Sequence, residues 1–243
     1  MNEDSYGAYR TFVRVNPIES GMTLIDLKAT ASPNLRGFVY PMARKKSDLE
    51  SFASQLKLME YELGLEEGHF TIVALIETPS GLANVEEIAK TERVEALLFG
   101  CEDYLAEMGA EHTPNHESIL FARTKIVNAC RGNEIVPIDT PYVQMRNLSG
   151  MESFANFGNS LGMDGMLVLS PDQIEVANRA YSPSIKKEAR ARKIIDAAEE
   201  AERMERGVIV LEDGEFISPP TIKWANKLIN RVERKTTWKS FGK

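Results

Sequence analysis

Three carboxylates follow two short apolar stretches of the sequence. Glu77 ends the stretch T-I-V-A-L-I-E-T at 71–78, and Glu102 and Asp103 end V-E-A-L-L-F-G-C-E-D at 94–103. Both stretches are typical of buried parallel strands. The residues between them carry apolar side chains at helical spacing, which predicts a strand–helix–strand unit whose two strands end at one edge of a sheet. At that edge, α/β barrels and open parallel sheets carry the side chains that do chemistry.

Two further polar groups end predicted strands. Arg14 and Asn16 follow the apolar stretch that begins at Ala8 and stops at Pro17, and Asp139 ends the stretch E-I-V-P-I-D. In a parallel sheet, Arg14 and Asn16 face the same rim as the acids. Asp139 could line a pocket there or cap the next turn. Each of the other acids could instead cap the helix that follows it, so the pattern alone leaves both interpretations open.

Apolar stretches and helical patterns alternate along the first 170 residues. The predicted strands are 8–16, 36–41, 71–78, 94–103, 134–139 and 165–169. This alternation is typical of a wound βα fold, so the predicted fold class is α/β and TIM-barrel-like. A closed barrel of this type has eight strands. About six strands therefore predict an incomplete (β/α) barrel domain over 1–170.

The pattern changes over 171–243. A first helix is followed by a long charge-rich helix over 184–206, a hairpin over 207–217 with an E-D-G turn, and a last amphipathic helix from Pro220. These elements do not continue the βα repeat. We therefore predict that 171–243 forms a C-terminal lid or oligomerisation arm.

Composition excludes several classes of protein. The chain has 243 residues, of which 43% are hydrophobic, enough for one globular α/β domain with a small appendage. The formal net charge of -7 argues against nucleic acid as a partner, because phosphate binding needs a concentrated basic face. No apolar run reaches the length of a membrane span, and the first residues lack the pattern of a secretion signal, which predicts a cytoplasmic protein.

Cysteine and histidine do not form a recognisable metal-binding motif. Cys101 and Cys130 are too few for a disulfide framework and are expected to be free thiols. His112 and His116 are four residues apart, a spacing that suits zinc on a helix. Pro114 lies between them, so we expect a loop without a metal.

Five motifs in order resemble one family. They are V-R-V-N at 13–16, G-F-V-Y-P at 37–41, I-E-T-P-S-G-L at 76–82, F-G-C-E-D at 99–103 and S-P-D-Q-I-E-V-A-N-R-A-Y-S-P at 170–183. This set resembles the citrate lyase β-subunit family, which is related to malyl-CoA lyases within the HpcH/HpaI aldolase superfamily. The resemblance implies a barrel that lacks its first two βα units.

The resemblance also implies an activity. Family members are Mg²⁺-dependent lyases or aldolases that cleave or form a carbon–carbon bond of a hydroxyacyl-CoA or hydroxy acid, next to a 2-oxo acid. By resemblance, Arg14 orients the carboxylate of the oxo acid, while Glu77 and Asp103 hold Mg²⁺, a hard cation that takes oxygen ligands. The implied partners are a 2-oxo acid, an acyl-CoA if the chain is a lyase, and further copies of the chain.

Four more residues complete the predicted substrate-binding group. They are Gly100, Glu102, Asp139 and Arg44. Glu102 is expected to support the metal ligands rather than to bind the metal itself. Arg44 is considered because the family places a lysine at the position of Met42, so the positive charge could have moved; otherwise Arg44 is a solvent-facing residue.

Two other positions depart from the family pattern. Ser170 replaces a histidine, and Ser218 replaces the aspartate of the lid motif. Serine cannot substitute for an acid or base without a partner. A 2-oxo acid aldolase independent of coenzyme A, and a non-catalytic accessory subunit of the same fold, are therefore kept as alternatives to the lyase.

Overall fold

The computed structural model describes residues 10–204, 209–211 and 214–240, and the chain divides into two compact units. The first unit comprises residues 10–181, and the second begins at Ser182. The sequence predicted a boundary at 170/171, which the contacts move to 181/182. The reason is that the helix after Pro171 packs its buried Val176 on Met151 of the first unit.

The first unit is built on a parallel sheet of six strands that pair in chain order. The strands are β1 Phe12–Arg14, β2 Gly37–Tyr40, β3 Thr71–Ile76, β4 Val94–Phe99, β5 Val136–Asp139 and β6 Gly165–Met166. Among the described residues, β1 pairs only with β2 and β6 only with β5. The sheet therefore does not close, which agrees with the predicted incomplete TIM-barrel-like α/β fold.

Helices connect the strands. They are α1 Thr23–Thr30, α2 Lys46–Leu63, α3 Pro79–Ala83, α4 Val85–Ala89, α5 Cys101–Met108, α6 Glu117–Gly132, α7 Leu148–Leu161 and α8 Asp172–Ala180. Helix α2 is capped by Lys45 and Asp48, since the Asp48 carboxylate accepts the backbone N–H of Lys45 at 3.0 Å. Gly64 ends α2 in the left-handed conformation (φ 66°), which glycine adopts without strain.

Both faces of the central strands are buried. Along β3, Ile72, Ala74 and Ile76 pack with the helices, while Val73 and Leu75 join a second cluster on the opposite face. This alternation follows from the two-residue period of a strand. Each fully buried aliphatic side chain contributes about 1.5–3 kcal/mol to the stability of the fold. Burial on both faces therefore holds the central strands in place, and with them the edge at which β3 and β4 end.

In its described residues, the second unit contains two helices and a short hairpin. Its elements are α9 Ile185–Arg203, β7 Ile209–Val210, β8 Phe216–Ile217 and α10 Pro219–Ser240. Ile194, Ile217 and Ala225 belong to its buried cluster. β7 and β8 pair antiparallel, as the predicted hairpin requires, and 212–213 of the predicted turn lie outside the described residues. The role of this unit as a lid or arm stays a prediction.

None of the helices in the described part of the chain has the length and apolar composition that crossing a membrane requires.

Candidate active site

Strand register brings the ends of β3 and β4 side by side. Ile76 is paired with Phe99, and the N–H of Gly100 donates to the carbonyl of Ile76 at 2.9 Å. Glu77 therefore leaves β3 directly beside the turn that opens α5. Glu102 and Asp103 lie in the first turn of α5.

The Glu77 side chain is fixed by backbone groups. It is buried, with 6% of its surface exposed, and its Oε1 accepts the backbone N–H of Met42 at 2.7 Å. Met42 follows β2 with φ 52°, a left-handed conformation that costs a non-glycine residue about 1–3 kcal/mol. The strained turn after β2 thus points an N–H at the carboxylate of Glu77.

Gly100 gives Glu77 its space. A Cβ atom at Gly100 would lie 2.7 Å from the Cβ of Glu77 and 2.9 Å from its Oε2. Both distances are shorter than a carbon side chain tolerates, so only glycine fits beside Glu77. Gly100, which the sequence placed in the substrate-binding group, has a positioning role in the structure.

Glu77, Asp103 and Arg14 form one electrostatic group. The pKa of Glu77 is raised, first by burial and then by the charge of Asp103, whose carboxyl group lies within hydrogen-bonding reach. The charge of Arg14 acts in the opposite direction and lowers that pKa. The three residues predicted from strand ends are therefore brought together at one rim.

This group fits a hard divalent cation. Two carboxylates in contact repel each other when both are ionised, and a cation between them removes that repulsion. Mg²⁺ prefers oxygen ligands and commonly binds through one or two carboxylates, with the remaining positions filled by water and substrate. Glu77 and Asp103 supply that donor set, and Asp103 is exposed on its helix, so substrate can reach it.

Arg14 is placed to bind an anion. Its side chain is exposed at the end of β1, and within 10–204, 209–211 and 214–240 no acidic oxygen lies within ion-pair distance of it. Its guanidinium therefore keeps its donors available for a carboxylate, which guanidinium binds in a bidentate manner.

Glu102 and Arg44 have other partners. Glu102 is exposed, and its Oε1 lies 2.8 Å from Nε2 of His112 and 3.3 Å from Sγ of Cys101. Arg44 forms an ion pair of 3.1 Å with Glu107, one helical turn beyond Asp103. Arg44 is thus engaged near the rim but does not contact either proposed magnesium ligand.

Asp139 requires a correction. Its carboxylate is completely buried between the sheet and the helices, where it accepts N–H groups from Arg123 of α6 and the backbone of Thr140. The hydroxyl of Tyr181 also donates to it at 3.3 Å. A fully buried carboxylate with these partners does not bind substrate, so the predicted binding role is wrong. Asp139 instead anchors α6 to β5.

Sequence reasoning missed a cavity of about 460 Å³ at the same edge. It is lined by Cys101, His112, Thr113, Pro114, His116, Ile119, Pro141, Tyr142, Val143, Gln144 and Phe154. Most of these residues lie in the loops after α5 and β5. The only signal in the sequence was the pair of histidines around Pro114, and that pair gave no indication of Cys101 as their neighbour.

Comparison with known proteins identifies the family. The family model described as HpcH/HpaI aldolase/citrate lyase matches residues 3–171, more than half of the chain. The chain belongs to this family.

Individual members of the HpcH/HpaI family resemble the chain over most of its length. Citrate lyase subunit β of Haemophilus influenzae is 32% identical over 229 residues, which cover 94% of this chain and 78% of that relative. A (3S)-malyl-CoA thioesterase of Cereibacter sphaeroides is 28% identical over 94% of this chain and 76% of its own length.

Solved structures of HpcH/HpaI relatives share the fold. A citrate lyase from Burkholderia xenovorans matches with a TM-score of 0.79 at 20% identity, over 92% of this chain and 72% of that one. Protein CitE from Mycobacterium tuberculosis, in complex with magnesium, acetoacetate and coenzyme A, matches with a TM-score of 0.69 at 24% identity, over 92% and 78% of the two chains.

Proposed function

We propose that this chain is a Mg²⁺-dependent carbon–carbon lyase of the citrate lyase β type. Its substrate is a hydroxyacyl-CoA thioester whose cleavage releases a 2-oxo acid. The observation that carries the proposal is the convergence of Glu77, Asp103 and Arg14 at the carboxyl edge of the sheet. Family membership supplies the reaction class, and the rim supplies the groups that the reaction needs.

Structures of relatives support the choice of ligands. Citrate lyase β-subunit proteins of Mycobacterium tuberculosis have been crystallised with magnesium and oxaloacetate, with magnesium and pyruvate, and with magnesium, acetoacetate and coenzyme A. Oxaloacetate, pyruvate and acetoacetate each have a carbonyl group beside or near a carboxylate. A site with one guanidinium and two carboxylates offers complementary groups for such a molecule and a divalent cation.

Each residue at the rim has a distinct task. Glu77 and Asp103 would hold Mg²⁺, which when bound stabilises the negative charge that develops on oxygen as the carbon–carbon bond breaks. Arg14 binds the carboxylate of the oxo-acid portion and so fixes its orientation. The N–H of Met42 and the missing side chain of Gly100 hold Glu77 in one position.

Calorimetry with a matched pair of variants tests the metal assignment. Glu77→Gln keeps the size of the side chain but removes its charge, and we expect it to abolish Mg²⁺-dependent oxo-acid binding and activity. Glu86→Gln, on the exposed face of α4, is the control and should bind as the wild type does. Full activity in a folded Glu77→Gln protein would show that the metal assignment is wrong.

A second candidate function is binding without cleavage. Ser218 occupies the position of the family's lid aspartate, and its Oγ lies 3.0 Å from Oγ1 of Thr221 in the first turn of α10. A hydroxyl group paired with another hydroxyl group has no basic partner to activate it and is not a base. This observation favours an accessory subunit that binds Mg²⁺ and an oxo acid but does not cleave a thioester.

Turnover of malyl-CoA and citramalyl-CoA separates the two candidates. Release of glyoxylate or pyruvate that depends on Mg²⁺ supports the lyase, whereas Mg²⁺-dependent binding of these acids without release supports the accessory subunit. Coenzyme A should also raise the melting temperature of a lyase, because a ligand of the native state stabilises it. Oxo-acid aldol cleavage with no effect of coenzyme A would instead support the coenzyme A-independent aldolase.

A further inference from the structure

A second group of metal-binding side chains lies beside the acidic rim. Sγ of Cys101, a carboxylate oxygen of Glu102 and a ring nitrogen of His112 all lie within 4.8 Å of one another. Oε1 of Glu102 is 2.8 Å from Nε2 of His112 and 3.3 Å from Sγ of Cys101. The three residues come from a helix start and from a loop ten positions later, so only the folded chain joins them.

These donors are of a different kind from those at the rim. Thiolate, imidazole and carboxylate together suit a borderline ion such as Zn²⁺, whereas Mg²⁺ takes oxygen ligands alone. Around a tetrahedral Zn²⁺, donor atoms are separated by about 3.3–3.6 Å. The separation of 3.3 Å between Oε1 of Glu102 and Sγ of Cys101 lies at the lower end of this range, and the 2.8 Å between Glu102 and His112 lies below it. Small rotations of the exposed Glu102 and His112 side chains bring all three atoms into position.

The local structure holds one ligand firmly and leaves access to the other two. Cys101 is buried at the first position of α5, and its backbone N–H donates to Oγ1 of Thr140 at 3.1 Å. Cys101 and His112 both line the cavity of about 460 Å³, through which an ion can enter. Nδ1 of His116, another residue of that cavity, is buried with no hydrogen-bond partner within the described ranges.

We propose that Cys101, Glu102 and His112 bind one Zn²⁺ ion, with the fourth coordination position open to the cavity. Binding forms a zinc–sulfur bond and releases the thiol proton of Cys101 to solvent. The ion displaces the thiol proton as it coordinates the sulfur. Glu102 is then a zinc ligand rather than a support for the magnesium ligands.

Titration of the metal-free, full-length chain with Zn²⁺ tests this site. Calorimetry is done in the presence of saturating Mg²⁺, and we expect one zinc per chain. Cys101→Ser and His112→Gln should each weaken zinc binding at least tenfold. Replacing a residue that only supports a metal ligand already lowers metal affinity about 10–100-fold, so loss of a ligand should cost at least the lower value. Cys130→Ser and His69→Gln are the matched controls, because both residues lie away from the cavity lining.

Cobalt gives an independent readout. With Co²⁺ in place of Zn²⁺, the wild type should show a near-ultraviolet thiolate-to-cobalt charge-transfer band that Cys101→Ser lacks. His112 is exposed, so His112→Gln should fold even if Cys101→Ser does not, and circular dichroism checks both.

Three results would overturn the zinc site. They are equal zinc affinity in wild type and His112→Gln, a cobalt complex without the thiolate band, and loss of zinc binding in Glu77→Gln alone. The last result would assign the ion to the acidic rim. Retained zinc binding in Glu77→Gln supports the site, and this holds whether or not that variant loses magnesium-dependent activity.

Discussion

At the scale of single residues, two positions without a charged side chain set the geometry of Glu77. Met42 donates its backbone N–H to Glu77, and its left-handed backbone conformation directs that N–H. Gly100 has no Cβ, which leaves room for the Glu77 side chain. A buried carboxylate needs hydrogen-bond donors or a counter-charge to remain in place. The position of the proposed magnesium ligand therefore depends on backbone as much as on the acids themselves.

Replacing Gly100 with alanine should weaken Mg²⁺ binding about 10–100-fold, the usual effect of disturbing a residue that supports a metal ligand. The new Cβ would lie 2.7 Å from the Cβ of Glu77 and would displace that side chain. Calorimetric titration with Mg²⁺ measures the loss. Gly132→Ala is the control, because a Cβ there meets nothing within 4 Å. Unchanged affinity in Gly100→Ala would contradict this account.

The pH dependence of magnesium binding follows from Glu77. Burial, and next the charge of Asp103, raise the pKa of Glu77 above its ordinary 4.5. Between pH 4.5 and the folded pKa, the metal-free native state holds more protons than the unfolded state, so its stability falls as the pH rises. Mg²⁺ binds the ionised carboxylate, so the rise in melting temperature caused by Mg²⁺ should grow with pH across that window.

Thermal unfolding at a series of pH values, with and without Mg²⁺, measures this difference. Glu77→Gln should remove both the magnesium effect and its dependence on pH. A magnesium-induced shift of equal size throughout the window would mean that Glu77 is not the group that titrates.

At the scale of secondary-structure elements, Glu60 ties the end of α2 to two strands. Its carboxylate lies 2.7 Å from Nη1 of Arg93, which precedes β4, and accepts the N–H of Phe70, which precedes β3, at 2.8 Å. Gly68 donates a third bond at 3.1 Å. Burial alone raises the pKa of Glu60, but these hydrogen bonds outweigh it and the net pKa lies below 4.5.

Glu60→Gln should destabilise the chain by about 3–5 kcal/mol at neutral pH, because it leaves Arg93 buried without its counter-charge. The lowered pKa means that the stabilisation by Glu60 is present above pH 4.5 and is lost as the pH falls through the folded pKa. Denaturant unfolding at pH 7 and at acidic pH should therefore show a difference between wild type and variant that shrinks with acid. A difference independent of pH would exclude this ion pair as its cause.

At the scale of the whole molecule, all the proposed magnesium and oxo-acid ligands lie within 10–181, which forms a compact unit with its own core. A fragment ending at Tyr181 should therefore bind Mg²⁺ and pyruvate with the affinity of the full chain. Calorimetry on the two proteins makes the comparison, with circular dichroism to establish that the fragment is folded. Loss of binding in a folded fragment would mean that residues after 181 contribute to the site.

The open sheet leads to a prediction about assembly. Among the described residues, β1 and β6 each have one unpaired edge, and unpaired strand edges favour association with another chain. We expect the protein to sediment at the mass of two or more chains. Sedimentation equilibrium over a range of concentrations measures this, and a monomer at every concentration would contradict the proposed homo-oligomer.

The sequence by itself determined the alternation of strands and helices, the count of six strands and the edge that carries Glu77, Asp103 and Arg14. Hydrophobic periodicity fixes the elements, and parallel strands joined by helices must end on one side of a sheet. The boundary of the first unit was less well determined, because α8 was assigned from a change in pattern and not from its packing on α7.

Only the tertiary structure decided which way individual side chains point. A shift of one residue along a strand turns a side chain to the opposite face, so the sequence could not tell that Asp139 is buried against Arg123. Arg44 and Glu107, and likewise Cys101 and His112, become neighbours through long-range packing that spacing along the chain does not encode. The buried ion pair of Arg123 and Asp139 and the proposed zinc site both depend on contacts of this kind.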